Sequence, residues 1–290
     1  MFVLHEPTFD GLLSAFAWCL RRREPHPVFF ADSDQPVLLP VQPVAAESGI
    51  RALFRRHFCR QLGDAAGQAV LETVYTAYLS EQEGLSAHLY RYLFLALDMK
   101  KDPAALLQDR SVAAVVQAAR RAGGQAHQYL GLLRFRLIHG QLYMAEFSPD
   151  CHVLPLILPH FADRLSDQPF VICDRRRQLA AWYRPGRGCS LHLLLDPDEE
   201  TLTGTVLPGL PAPAASAQAG GEPAPDFEQL WQLYLARLAI PERRNRKLQM
   251  ANMPKKYWRY LAENPLAAAQ VAATKRDAPL PKHGSIPFLP

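Results

Sequence analysis

Apolar side chains recur at helical spacing at Phe9, Leu12, Leu13, Phe16 and Leu20, behind a short apolar run at Phe2-Val3-Leu4. The pattern predicts a strand, a turn through Pro7 and a helix over 8–23, with Thr8, Asp10 and Gly11 supplying its start. Pro25 and Pro27 end that helix. Val28-Phe29-Phe30 predicts a second strand, and the proline-rich stretch as far as Pro43 reads as a loop. Between 47 and 123 the period is helical throughout. It is carried by Ile50, Leu53, Phe54 and Phe58, by Val70, Leu71, Val74, Tyr75 and Tyr78, by Leu89, Leu93, Phe94 and Leu97, and by Val112, Val115 and Val116. Four helices fit. Gly123-Gly124 suits a C-cap of the last one, or an interruption before 125–129.

The period then changes. Residues 133–138 and 142–147, joined by His139-Gly140, read as two antiparallel strands of a hairpin. A helix over 153–165 follows, with Pro155 and Pro159 making its start irregular. Residues 170–173 and 179–183 predict a second hairpin, and 191–195 a further strand. The expected class is α+β: a helical N-terminal half, a small central antiparallel sheet backed by helices, and a helical basic C-terminal segment. In domain terms, 1–206 is the main domain, helix-rich over 1–130 and sheet-containing over 131–206. The uncharged Pro/Ala/Gly-rich stretch 207–225 is a linker. Residues 226–263 form the basic segment, opened by a helix that Asp226 caps and that buries Phe227, Leu230, Trp231, Tyr234 and Leu235. The tail 264–290 is expected to be mobile.

Composition narrows the classes. The 290 residues and 49 % hydrophobic content are those of a globular chain, and the 25 prolines exclude long coiled coils. No apolar run approaches the length of a membrane span, and the N-terminus lacks the basic and apolar regions of an export signal, so a cytoplasmic protein off the membrane is expected. Cys19, Cys59, Cys151, Cys173 and Cys189 are widely spaced and never form C-x-x-C, which points to reduced thiols rather than disulfides or a zinc ribbon. The net charge of +4 is unevenly placed. Eight cations lie within 237–259 against the single acid Glu242, leaving 24 basic and 27 acidic residues elsewhere. Such localisation is the mark of a surface that meets a polyanion.

Within that segment Arg243, Arg244, Asn245, Arg246, Lys247, Lys255, Lys256 and Arg259 stand beside Tyr257 and Trp258. Together they offer phosphate neutralisation, polar contacts and stacking surfaces, where one stacked base is worth roughly 1–3 kcal/mol. The competing reading makes Tyr257, Trp258, Met250 and Met253 anchors that dock the segment on the main body. At these residues the chain resembles a family of bacterial DNA-metabolism proteins that are encoded beside a radical SAM protein and whose domain can be fused to a uracil-DNA glycosylase-like domain. Arg243-Arg244-Asn245, Leu248 and Met253-Pro254-Lys255-Lys256-Tyr257-Trp258 are similar to that family's closing signature. Residues 131–135, Leu142-Tyr143, Leu154-Pro155-Leu156 and His160-Phe161 are similar to its middle, and Thr8-Phe9-Asp10-Gly11-Leu12-Leu13 to its start. The resemblance implies a role in DNA repair or modification, with DNA, a radical SAM protein and a uracil-DNA glycosylase-like protein as partners. It implies no reaction for this chain. The three-cysteine cluster of a radical SAM enzyme is missing, so radical chemistry would belong to another chain and no cofactor is expected here.

A second set comprises His127, Arg134, Arg136, His152, His160, Asp163 and Asp174, in or near the expected sheet. Arg134 and Arg136 share a strand face, so both can reach one phosphate, or else pair with carboxylates such as Glu146 across the hairpin. His152, His160, Asp163 and Asp174 are the weak candidates for catalytic roles, the imidazoles for proton transfer. Their spacing matches no metal pattern. No P-loop, G-x-G-x-x-G or G-x-S-x-G is present. Three functions stay open: a nucleic-acid-binding accessory of DNA repair, a nucleobase- or nucleotide-directed enzyme with a pocket in the sheet region, and a protein–protein assembly factor.

Overall fold

The computed structural model describes residues 1–31, 40–138 and 142–193, and in the C-terminal region 237, 245, 247, 248, 250, 253 and 255–261. The expected linker 207–225, the helix after Asp226 except for Arg237, and the tail 264–290 lie outside the described residues. The chain is an α+β protein. It divides into one unit of Met1–Gly131 with Pro149–Arg164, and a second of Leu132–Ser148 with Leu165–Pro290.

The first unit begins with β1 (Phe2–His5), followed by α1 (Phe9–Arg22), β2 (Val28–Ala31) and β3 (Val41–Val44). Thr8 caps α1, its hydroxyl oxygen accepting the Gly11 N–H at 3.0 Å, and Arg23 closes the helix in the left-handed region. The helix falls where its apolar spacing placed it. β1 lies between β2 and β3 and is parallel to both. Parallel neighbours need a crossover, and α1 supplies the one between β1 and β2. β3 corrects the reading of this stretch as a loop. It is an edge strand, where the missing N–H of Pro43 is tolerated, and its four residues are too few to show an alternating pattern.

Four helices follow, as the periodicity requires: α2 (Ile50–Leu62), α3 (Asp64–Tyr78), α4 (Leu85–Met99) and α5 (Arg110–Leu132). Val3, Leu12, Phe16, Phe58, Val74, Tyr90, Leu93 and Val115 belong to one buried core. α2 and α3 touch at Gly67, where a Cβ would stand 2.6 Å from the Cys59 backbone nitrogen, so only a bare backbone fits. α5 does not stop at Gly123-Gly124. Each interior glycine costs about 1 kcal/mol relative to alanine, yet the buried stripe Val112, Val115, Ala118, Ala122, Gln125, Ala126 and Tyr129 runs through the pair and holds the helix together.

The chain returns to this unit at 149–164. Gln125 joins the two stretches, its Nε2 donating to Asp150 (3.1 Å) and its Oε1 accepting the Cys151 N–H (2.7 Å). The His152 N–H donates to the Leu79 carbonyl at 2.8 Å. α6 (Leu154–Arg164) then buries Leu154, Ile157, Leu158 and Phe161.

The second unit holds a five-stranded sheet in chain order: β4 (Phe135–Ile138), β5 (Leu142–Phe147), β6 (Phe170–Asp174), β7 (Leu179–Arg184) and β8 (Gly188–Leu193). Both expected hairpins form. The sheet is nevertheless mixed, because β5 and β6 run parallel, with Tyr143 opposite Phe170. The excursion through 149–164 supplies the long connection that this pairing needs. Met144, Val171, Cys173, Ala180 and Trp182 cluster on one face, while Phe170 stacks on Tyr183 at 4.9 Å on the other. β6 is buried at all five positions, and β8 is exposed at all six.

Candidate nucleic-acid interface

Among the described residues, the C-terminal segment is held by a small set of anchors. Lys255–Tyr260 form a short 3-10 helix that packs on β5. Tyr257 is 3 % exposed and Leu261 5 %. Trp258 is half-buried, and its indole N–H donates to the Met253 carbonyl at 2.9 Å. Just upstream, Asn245 Oδ1 accepts the Leu248 N–H at 3.0 Å, an interaction of the capping kind. Tyr257 therefore serves as an anchor and its ring offers no free stacking face, whereas Trp258 keeps part of its surface open.

Around these anchors the cations point outward. Arg237, Asn245, Lys247, Lys255 and Arg259 are exposed, as are the apolar Leu248 and Met250. Arg259 lies 5.6 Å from the Tyr260 ring. No carboxylate among the described residues forms an ion pair with Arg237, Lys247, Lys255 or Arg259. Arg243, Arg244, Arg246 and the side chain of Lys256 lie outside the described residues.

The sheet arginines behave differently. Arg136 Nη2 donates to Glu146 Oε2 at 3.2 Å, and the other oxygen of Glu146 accepts Arg175 Nε at 2.6 Å, with Arg175 Nη2 also on it. Arg134 precedes β4, and its Nη1 donates to the Leu133 carbonyl at 3.3 Å. One carboxylate thus lies between Arg136 and Arg175, so the cross-hairpin pairing describes Arg136. Arg175 was not legible as its partner because it sits in the β6–β7 turn, remote in sequence from Glu146.

The histidine and carboxylate set is distributed over both units. His127 is exposed on α5, His160 and Asp163 are exposed on α6, and His152 is half-buried where the chain re-enters the first unit. All four belong to that helical unit and not to the sheet, because 149–164 folds back to α3 and α5. The His160 ring stands edge-on to Phe161 at 5.2 Å. Asp174, in the second unit, is fully buried, and its carboxylate accepts the backbone N–H groups of Arg176 (3.0 Å) and Arg177 (3.2 Å) and the Arg177 side chain (2.9 Å). That arrangement ties the β6–β7 turn and leaves the group no opening to a substrate. Among the described residues no group of His, Cys, Asp or Glu is arranged to hold a metal ion, and no helix is long and apolar enough to cross a membrane.

Residues 83–263 match the model of a protein family described as a domain of unknown function, DUF4130. No curated protein matches the chain. The matched span takes in α4, α5, α6, the five-stranded sheet and the basic segment, and begins after α3.

Proposed function

This chain belongs to DUF4130, a family whose domain has no known function, and on that premise we propose that it is a nucleic-acid-binding accessory protein of DNA repair or modification. The observation that carries the reading is the contrast within the basic segment. Tyr257 and Leu261 are buried anchors, while Arg237, Lys247, Lys255 and Arg259 face solvent with no carboxylate paired to them among the described residues. Exposed cations that no carboxylate among the described residues neutralises suit an external polyanion, whose displaced counterions supply the free energy of association. Trp258 adds a partly open aromatic surface beside them. Catalysis, if the pathway needs it, falls to a partner, which the family resemblance implies is a radical SAM protein and, more distantly, a uracil-DNA glycosylase-like protein.

The test is binding of the purified chain to labelled single- and double-stranded oligonucleotides across a salt series. Joint replacement of Arg237, Lys247, Lys255 and Arg259 by glutamine weakens binding and flattens the dependence of log K on log salt by about 0.9 for each duplex phosphate that is no longer neutralised. A chain that binds neither oligonucleotide at low salt, or a variant with unchanged affinity and slope, removes the reading.

A further inference from the structure

α2 contains Arg51, Arg55, Arg56, His57 and Arg60 and no acidic residue. Its core-facing stripe is Ile50, Phe54 and Phe58. At 3.6 residues per turn, Arg55, Cys59, Arg56 and Arg60 fall within an arc of about 140° on the opposite side. Arg51 is already engaged, paired with Asp10 at 2.5 Å and lying 5.3 Å from the Phe9 ring. Arg55, Arg56 and Arg60 are exposed and form no ion pair among the described residues. With Cys59, Asp64 and Gln68 they line a surface groove of about 600 Å³ between α2 and α3. Next to Gln68 in sequence, Gly67 lets the backbone of α3 lie directly against α2 at Cys59.

From this we infer that the outer face of α2 is a second contact surface for the phosphodiester backbone of a nucleic acid. The inference rests on the binding role proposed above and assigns it a further site. Three guanidinium groups around one carboxylate leave the groove cationic. The planar donor fork of arginine matches a phosphate, and the open groove admits a polymer passing along it. Arg55 and Arg60 are about 7.5 Å apart along the helix axis, far enough for the two to meet different phosphates of one strand. The face precedes residue 83, so it belongs to the N-terminal part of this chain and not to the matched family domain.

The test uses the full chain with the same labelled oligonucleotides. Replacing Arg55, Arg56 and Arg60 together by glutamine lowers affinity at low salt about tenfold or more and flattens the salt slope by about 2–3. The corresponding triple lysine variant keeps most of the affinity, because it retains the charges. Circular dichroism and the melting temperature establish that each variant is folded. Arg56→Glu alone is the milder check if the triple glutamine variant is unstable, and it too weakens binding. Unchanged affinity and slope in the folded glutamine variant, beside a weakened C-terminal variant, overturn this inference and leave the proposed function standing. Weakening here with an unaffected C-terminal variant supports α2 and removes the carboxyl-terminal site. Binding of an acidic polypeptide such as polyglutamate, with no binding of either oligonucleotide, overturns both.

Discussion

Asp174 and Arg177 form a buried ion pair, with Oδ2 and Nη1 2.9 Å apart and side-chain exposures of 0 % and 10 %. The other carboxylate oxygen accepts two backbone N–H groups of the turn between β6 and β7. Removing the guanidinium would leave a charge in a site that water does not reach. Arg177→Met is expected to destabilise the protein by about 3–5 kcal/mol, while Asp174→Asn keeps the turn acceptor and loses less. Urea denaturation of both variants measures this. A loss under about 1 kcal/mol in Arg177→Met would mean that the backbone donors alone satisfy the carboxylate.

Two glycines in helices respond in opposite directions. Gly67→Ala drives a methyl group against the backbone nitrogen of Cys59, 2.6 Å away, and is expected to cost about 1–3 kcal/mol. Gly124→Ala meets nothing within 4 Å and stabilises the helix by about 0.5–1 kcal/mol. A melting temperature that Gly67→Ala leaves unchanged or raises would contradict the close approach of α2 and α3, and one that Gly124→Ala lowers would contradict the open space at that position.

Below neutral pH the fold loses support from His5. Its side chain lies in a residue only 7 % exposed on β1, and burial holds its pKa below the ordinary 6.5, opposed by the hydrogen bond from Nδ1–H to the Glu6 carbonyl. Above pH 6.5 both folded and unfolded chains carry the neutral ring, and its contribution is complete. As pH falls below that point the unfolded chain takes the proton first, so stability drops until the lowered folded value is passed. Wild-type protein should therefore lose more melting temperature between about pH 7.5 and about pH 5 than His5→Gln does. Equal losses would place the ring in contact with water.

Burial also orders the thiols. It pushes Cys19 up to about 11 and Cys173 up to about 12, and both are buried, whereas Cys189 is exposed and Cys59 half-exposed. A maleimide at about pH 7.5 should label Cys189 and Cys59 at least about tenfold faster than Cys19 and Cys173 in the native protein. Peptide mass spectrometry reads the order, and uniform labelling would contradict it.

Much of the fold was legible because its signals are local. Thr8 and the Phe9, Leu12, Phe16 spacing define α1, and alternating or apolar runs define both hairpins. What escaped is set by partners distant in sequence. β3 exists through its pairing with β1, and β6 lies parallel to β5 only because the intervening segment packs elsewhere. The run through Gly123-Gly124 depends on a buried stripe outweighing two poor helix formers. At the candidate interface the charge of the basic segment was visible, but the sequence left Tyr257 open as either a stacking ring or an anchor, and only the folded chain shows the ring to be buried. The arginines of α2 were visible too, as a helix with no acid, but were overshadowed by the denser cluster near the carboxyl end.

The interrupted course of the first unit governs how the protein can be made. During synthesis the opening 131 residues leave the ribosome with the Gln125 side chain and the Leu79 carbonyl still waiting for 149–153. β4 and β5 emerge before α6 does, and β5 must then wait for β6, its parallel neighbour. The first unit can therefore close once residue 164 has emerged, whereas the second, begun at residue 132, stays incomplete until β6, β7 and β8 have followed. A chain cut off near residue 140 would hold helices that lack α6 and a β4 without its β5 partner, the kind of intermediate that chaperones recognise.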